Sequence, residues 1–281
     1  DTQNSLRDGL LTVGLPAYNE QDSVPLAADT ICPLLEKEGI RHEILFVNDG
    51  SRDGTWKAIQ AQTARHPQVR GVCFSRNFGK EAAIFAGLAQ AKGDCAVVLD
   101  CDLQHPPEKI VEMYRLWQQG YQVVEGVKVT RGKESPLHTL AAKTFYHFIS
   151  SATKIDMSRA SDFKLLDRRA VDVLVAMREK NAFFRALSSW IGFETTQVEF
   201  EVQPRAAGES KWSIRSLVRY AITNLAAFST APLQIVTFLG VLVFLCSLVL
   251  GGWSLWQKIS GQALEGFTTV ILLLLLIGSI L

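Results

Sequence analysis

The residues best suited to chemistry are Asp100 and Asp102, which follow an apolar run at residues 95–99. Where a strand stops and the backbone turns, two such carboxylates can face one ion. Their hard oxygens suit Mg²⁺ or Mn²⁺, and Mg²⁺ commonly binds through one or two carboxylates plus substrate phosphates. An isolated Asp-x-Asp is more often a capping or surface pair, so the position after an apolar run is what singles this one out. Two more polar clusters follow apolar runs: Pro16-Ala17-Tyr18-Asn19-Glu20 and Asn48-Asp49-Gly50-Ser51. Each also fits a plain turn leading into a helix cap. A carboxylate in the second cluster can instead accept hydrogen bonds from the edge of a nucleobase.

These clusters need a scaffold that brings them together. Apolar runs at residues 10–15, 43–47, 69–74, 95–99 and 122–126 alternate with segments of helical spacing at 22–38, 53–65 and 78–91. Continuous apolar strands between helices predict an α/β domain whose mostly parallel sheet is covered on both faces. Asp22 and Asp53 are the expected N-caps of the first two helices. In an open α/β sheet, ligands bind beyond the carboxyl ends of the strands, so the three polar clusters are expected to converge on one site. Other chemistries lack their signatures. No G-x-G-x-x-G or G-x-x-x-x-G-K-[ST] loop occurs, no G-x-S-x-G element occurs, and the five histidines show no zinc spacing.

Lys and Arg number 29 against 28 Asp and Glu. That balance gives no support for binding nucleic acid, and any phosphate site must be local. The five cysteines, Cys32, Cys73, Cys95, Cys101 and Cys246, form no C-x-x-C pair and fit buried thiols in a reducing compartment. The polar start at Asp1 reads as a trimmed chain without a signal peptide.

Composition changes near residue 212. From Pro232 to Trp256 no residue is charged, a longer run than the about 20 residues that cross a bilayer. Residues 266–281 read as a second span cut short by truncation. Lys211, Arg215 and Arg219 precede the first run, and Lys258 alone lies between the two, which predicts a cytoplasmic N-terminal part. Between them, Trp212, Ile214, Leu217, Val218, Ala221, Leu225 and Phe228 recur at helical spacing. A helix of this kind can lie in the headgroup layer, or else pack on the soluble domain. The expected parts are a domain at 1–211, an interfacial amphipathic region at 212–231 and a transmembrane region at 232–281.

In order and spacing these motifs resemble the family 2 glycosyltransferases, and among them the polyprenyl-phosphate (dolichyl- or undecaprenyl-phosphate) hexosyltransferases. The eight residues Asp100-Cys101-Asp102-Leu103-Gln104-His105-Pro106-Pro107 carry most of that likeness. Ser161-Asp162-Phe163-Lys164 and Gly208-Glu209-Ser210-Lys211-Trp212 add to it. Trp190-Ile191-Gly192-Phe193, followed by two apolar runs, looks like the bacterial undecaprenyl-phosphate glucosyltransferase branch. The resemblance implies a GT-A fold and a metal-dependent, inverting transfer of one hexose to polyprenyl phosphate. UDP-glucose is the favoured donor, ahead of UDP-N-acetylglucosamine, an aminopentose donor or GDP-mannose. It also implies a homo-oligomer in the bacterial inner membrane, multi-pass, with its catalytic domain cytoplasmic.

Carried over by motif, Asp100, Asp102 and Gln104 would hold Mg²⁺ or Mn²⁺ and the donor diphosphate. Pro16, Tyr18, Glu20, Asp49 and Lys128 would line the nucleotide-sugar pocket, and Asp162 would face the sugar and acceptor. Lys211, with Arg205 and Arg131, would meet the acceptor phosphate. Many relatives have an aspartate where this chain has Asn48. Two rival readings are a processive polysaccharide synthase, whose Q-x-x-R-W element is absent here, and a non-catalytic nucleotide-sugar-binding membrane protein, which the intact acidic set opposes.

Overall fold

The computed structural model describes residues 7–129, 161–177, 183–203, 231–261 and 267–280. The chain divides into two compact units, Asp1–Asn224 and Leu225–Leu281.

In the first unit, β1 (Leu11–Ala17), β2 (His42–Asn48) and β4 (Cys95–Val98) are almost wholly buried, as parallel strands covered on both faces must be. β3 (Val69–Cys73) is the half-buried edge. Helices α1 (Ser23–Lys37), α2 (Thr55–Arg65) and α4 (Glu108–Gln118) put Ile31, Leu35, Ile59, Met113 and Trp117 into one core with Val13, Ile44 and Phe46. Helix α3 (Lys80–Gln90) covers the opposite face, where Ala83 packs with Leu45 and Val47.

The sheet has seven strands in the order β3-β2-β1-β4-β6-β5-β7. β5 (Val123–Lys128) is the fifth expected strand. β6 (Lys164–Asp167) and β7 (Thr195–Phe200) lie beyond the expectation. β6 runs antiparallel between β4 and β5, while β7 is parallel to β5. Helices α5 (Arg168–Ala176) and α6 (Phe184–Trp190) complete the unit.

Two local expectations need correction. Asp22 occupies the N-cap position of α1 without making a capping bond, and the cap residue of α2 is Gly54. Asp53 lies one residue earlier, where its Oδ1 accepts from the N–H (3.0 Å) and Oγ1 (2.5 Å) of Thr55. Pro16 sits inside a central strand, a position proline rarely tolerates. It escapes the penalty because the last link to β4 is Leu99 N–H to Gly14 O (3.2 Å), before the missing donor is needed.

The second unit contains α7 (Ala231–Ile259) and α8 (Phe267–Ile280). Among the described residues, Val236–Ile259 is the one segment long and apolar enough to cross a membrane. Its 24 residues make about 36 Å of helix at roughly 1.5 Å each, against a hydrocarbon core of about 30 Å. The 14 residues of α8 give about 21 Å, as expected of the shorter second run. The two helices pack together, and a side chain at Gly251 would press on Leu272 at 3.3 Å. The amphipathic stretch 212–230 lies outside the described residues.

Candidate active site

β2, β1 and β4 are parallel neighbours, so their carboxyl ends open side by side. The loops after β1 and β2 are laced together. Asn19 N–H donates to Ser51 Oγ (2.8 Å), and Arg52 N–H donates to Asn19 Oδ1 (2.8 Å). Glu20 N–H donates to Thr55 Oγ1 (2.7 Å), and Gly54 N–H to Gln21 Oε1 (2.9 Å). Asn19 takes a left-handed conformation (φ 54°), which asparagine tolerates better than most residues. The Glu20 carboxylate accepts from Ser23 Oγ (2.7 Å) at the start of α1, and the Tyr18 side chain is exposed.

Asp49 is only 3% exposed. Its Oδ1 accepts from Phe78 N–H (2.7 Å), and its Oδ2 from Gly79 N–H (3.0 Å) and Asn77 Nδ2 (2.9 Å). Burial pushes its pKa up, with those backbone N–H groups pulling the other way. The carboxylate thus fixes the turn that starts α3. Gly50 makes room for that turn: it has φ +62°, and a Cβ there would lie 2.2 Å from the Arg76 carbonyl carbon. Asn48 donates through Nδ2 to Cys73 Sγ (3.1 Å), a bond an aspartate could not make, and accepts from Ser51 N–H (3.2 Å).

After β4, Asp100 keeps about a third of its side chain exposed (34%), while Asp102 is 5% exposed. Asp102 Oδ1 accepts from Gln104 N–H (3.1 Å), and the Gln104 carbonyl accepts from Gln203 N–H (3.0 Å). Leu103, between them, is held at φ 57°, a left-handed conformation that strains a leucine by about 1–3 kcal/mol and clusters at functional sites. His105 lies between the rings of Phe163 (4.9 Å) and Phe200 (5.2 Å). Burial lowers its pKa, with Asp100 opposing and Lys80 reinforcing the shift.

A charge cluster joins residues from α3, α6 and the segments that follow β4 and precede β6. Lys80 Nζ, at the start of α3, lies 2.7 Å from one oxygen of Asp100 and 3.0 Å from the other. It also lies 2.7 Å from Asp162 Oδ2. Arg185, on α6, grips the same Asp162 through Nε (2.7 Å) and Nη2 (3.0 Å), the bidentate geometry that makes such pairs strong. Burial alone would raise the Asp162 pKa, but Lys80 and Arg185 outweigh it and hold the carboxyl well below the usual range. Burial would likewise depress Lys80, and its two carboxylate partners reverse that.

Behind this cluster, Lys164 is fully buried in β6 and paired with Glu125. It also donates to Ser188 Oγ (2.8 Å), Ser189 Oγ (3.2 Å) and the Arg185 carbonyl (3.4 Å), so it anchors the helix that carries Arg185. Burial lowers its pKa, with Glu125 opposing.

The structure therefore brings Pro16, Tyr18, Glu20, Asp49, Asp100, Asp102 and Gln104 to adjoining strand ends and links Asp162 to them through Lys80. Lys128 ends β5 on the same edge, two strands from β4. Arg131, Arg205 and Lys211 lie outside the described residues. Sequence reasoning missed Lys80 and Arg185 and gave no role to Lys164, although it closes the Ser161–Lys164 motif. Lys80 is 20 and 82 residues from its two partners, so no local pattern announces it.

The oxygen donors present suit a hard divalent ion, since Asp100 and Asp102 offer carboxylates and Gln104 a carboxamide. The Asp100 carboxylate is already paired with the Lys80 ammonium. Among the described residues no three His, Cys, Asp or Glu side chains converge as a metal group.

Residues 12–175 match the family described as Glycosyl transferase family 2. The chain is 34% identical over 271 residues to an uncharacterized glycosyltransferase of Bacillus subtilis, covering 96% of this chain and 84% of that one. It is 34% identical over 273 residues to a prophage bactoprenol glucosyl transferase homolog of Escherichia coli, covering 96% and 89%. In fold it is similar to glucosyl-3-phosphoglycerate synthase from Mycobacterium tuberculosis, solved with Mn²⁺ and UDP-glucose. That match has a TM-score of 0.53 and 18% identity and covers 78% of each chain.

Proposed function

The chain belongs to glycosyl transferase family 2 and has the GT-A fold, and from that premise we propose that it moves a single hexose, with inversion, from a nucleotide sugar to a polyprenyl phosphate beside a membrane. UDP-glucose and undecaprenyl phosphate are the favoured pair, on the strength of the bactoprenol glucosyl transferase name of the Escherichia coli relative. The observation that carries the reading is the meeting of Asp100, Lys80, Asp162 and Arg185 at the mouth of β4, beside the loops of β1 and β2.

The acceptor is a phosphate monoester, already anionic near neutral pH, and needs no strong base. Asp162 matches that chemistry: two cations hold it ionised, and both of its oxygens are taken. Its proposed work is to aim Lys80 and Arg185 at the place where two anions must meet. A divalent ion, Mg²⁺ or Mn²⁺ held by Asp100, Asp102 and Gln104, would neutralise charge growing on the departing diphosphate. Pro16, Tyr18, Glu20, Asp49 and Lys128 are assigned to the nucleotide-sugar pocket, and Lys211, Arg205 and Arg131 to the lipid phosphate. α7 provides the anchor in the bilayer, with α8 beside it. The multi-pass topology, the interfacial region at 212–231, the cytoplasmic placement at a bacterial inner membrane and the homo-oligomer belong to the same proposal. Holding the acceptor at the height of the site supplies part of the rate through placement.

The test is a screen of UDP-glucose, UDP-N-acetylglucosamine, an aminopentose donor and GDP-mannose. Each is offered with undecaprenyl phosphate and Mn²⁺ or Mg²⁺, and the lipid product is read by mass. A lipid heavier by one hexose is the expected result. A polymer would point instead to a processive synthase. Failure to transfer from any donor with either ion sinks the reading in favour of a binding protein.

A further inference from the structure

Asp100 and Asp162 share Lys80, but they depend on it unequally. Asp162 has Arg185 on both of its oxygens, at 2.7 and 3.0 Å, and would stay paired if Lys80 moved away. Lys80 in turn engages both oxygens of Asp100, at 2.7 and 3.0 Å, which are the oxygens assigned to the divalent ion. Lys80 is only partly buried, with 31% of its side chain exposed. Asp100, Asp102 and Asp162 carry three negative charges against the two positive charges of Lys80 and Arg185. A divalent ion arriving alone therefore meets a site already mostly neutralised, and it must displace an ammonium to reach Asp100.

We propose that Lys80 is a resident cation that occupies Asp100 in the donor-free protein and yields it when the ion arrives with a nucleoside diphosphate, so that ion binding is coupled to donor binding. The inference rests on the assignment of Asp100 and Asp102 to the ion. A diphosphate brings the negative charge that offsets repulsion between the ion and the displaced ammonium, and an ion without a diphosphate lacks that compensation. Lys80 acts here as a positioning residue on the ion, through a carboxylate that both cations need.

The experiment titrates the purified full chain with Mn²⁺, reading free ion by its paramagnetic resonance, without nucleotide and with saturating UDP. For the wild type, Mn²⁺ alone binds weakly and UDP tightens it strongly. Lys80→Met should bind Mn²⁺ alone about tenfold more tightly, the order expected from removing one partly screened charge at contact distance. By linkage, its enhancement by UDP should shrink by a similar factor. Lys80→Gln repeats the test should the methionine variant misfold, and Lys80→Arg, which keeps the charge, should stay near wild type. Neutral variants that bind Mn²⁺ alone no more tightly than wild type, while Asp100→Asn weakens binding, would overturn the proposal and leave the ion site standing. Mn²⁺ binding indifferent to both Asp100→Asn and Asp102→Asn would instead remove the ion assignment, and this inference with it.

Discussion

At Asp102 a nearly buried carboxylate accepts from Gln104 N–H in its own loop. Asp102→Ala should lower lipid-linked product by a hundredfold or more while the protein still folds, on the order of losing one strong electrostatic contact to the transition state. Circular dichroism and thermal unfolding check the fold, and a variant keeping half its activity would exclude Asp102 from the ion. Asp162 makes a different kind of prediction. Its folded pKa is depressed, so the folded chain stays ionised where the unfolded chain, titrating near 4, takes up a proton. Its contribution to stability is complete above about pH 5 and is lost as the pH falls toward the folded value. Between about pH 6 and 3, the melting temperature of wild type should fall more steeply than that of Asp162→Asn. Parallel slopes would mean that Lys80 and Arg185 do not stabilise the charge. Asp100 and Asp102 were legible in the sequence because an apolar strand leads straight into them. Lys80 and Arg185 were not, because their meaning comes from a carboxylate 82 residues away from one and 23 from the other.

Among the elements, β6 is the instructive case. Its four residues, Lys-Leu-Leu-Asp, are all buried, and the two charged ends are satisfied from elsewhere in the chain. Glu125 neutralises Lys164, the Ser188 and Ser189 hydroxyls accept from it, and Trp117 Nε1 donates to Asp167 (2.8 Å). A strand this short with polar ends offers no period to read, so its antiparallel place in the sheet stayed hidden. β7 carries an alternation that the sequence reading did not use, since Val198 and Phe200 are buried while Gln197 and Glu199 are exposed. β1 to β5 and α1 to α3 followed from apolar runs and helical spacing. Lys164→Met should destabilise the domain by about 3–5 kcal/mol, because Glu125 is left buried without its partner. Adding Glu125→Leu should recover most of that loss in a denaturant titration. A double variant no more stable than the single one would show that the serines, rather than the ion pair, hold α6.

At the scale of the molecule, the charge-free run was the plainest signal in the sequence, and it forms α7 with exposed apolar side chains such as Phe238, Leu245 and Val249. Trp253 and Trp256 pack with ring centroids 5.7 Å apart near its end, just before Lys258, a combination suited to a membrane–water interface. Leu245→Arg, in mid-helix, should cost about 2.5–3.5 kcal/mol of insertion and release protein from membranes under an alkaline wash. Retention equal to wild type would argue that α7 is not what anchors the chain.

The four bonds that lace the loop after β1 to the loop after β2 carry a consequence for how this molecule changes over generations. Neither segment can drift by itself, since each supplies the acceptors for the other's amides. A substitution that removes one of these groups has to be matched in the other loop, so residues 17–22 and 48–55 change together as one cassette.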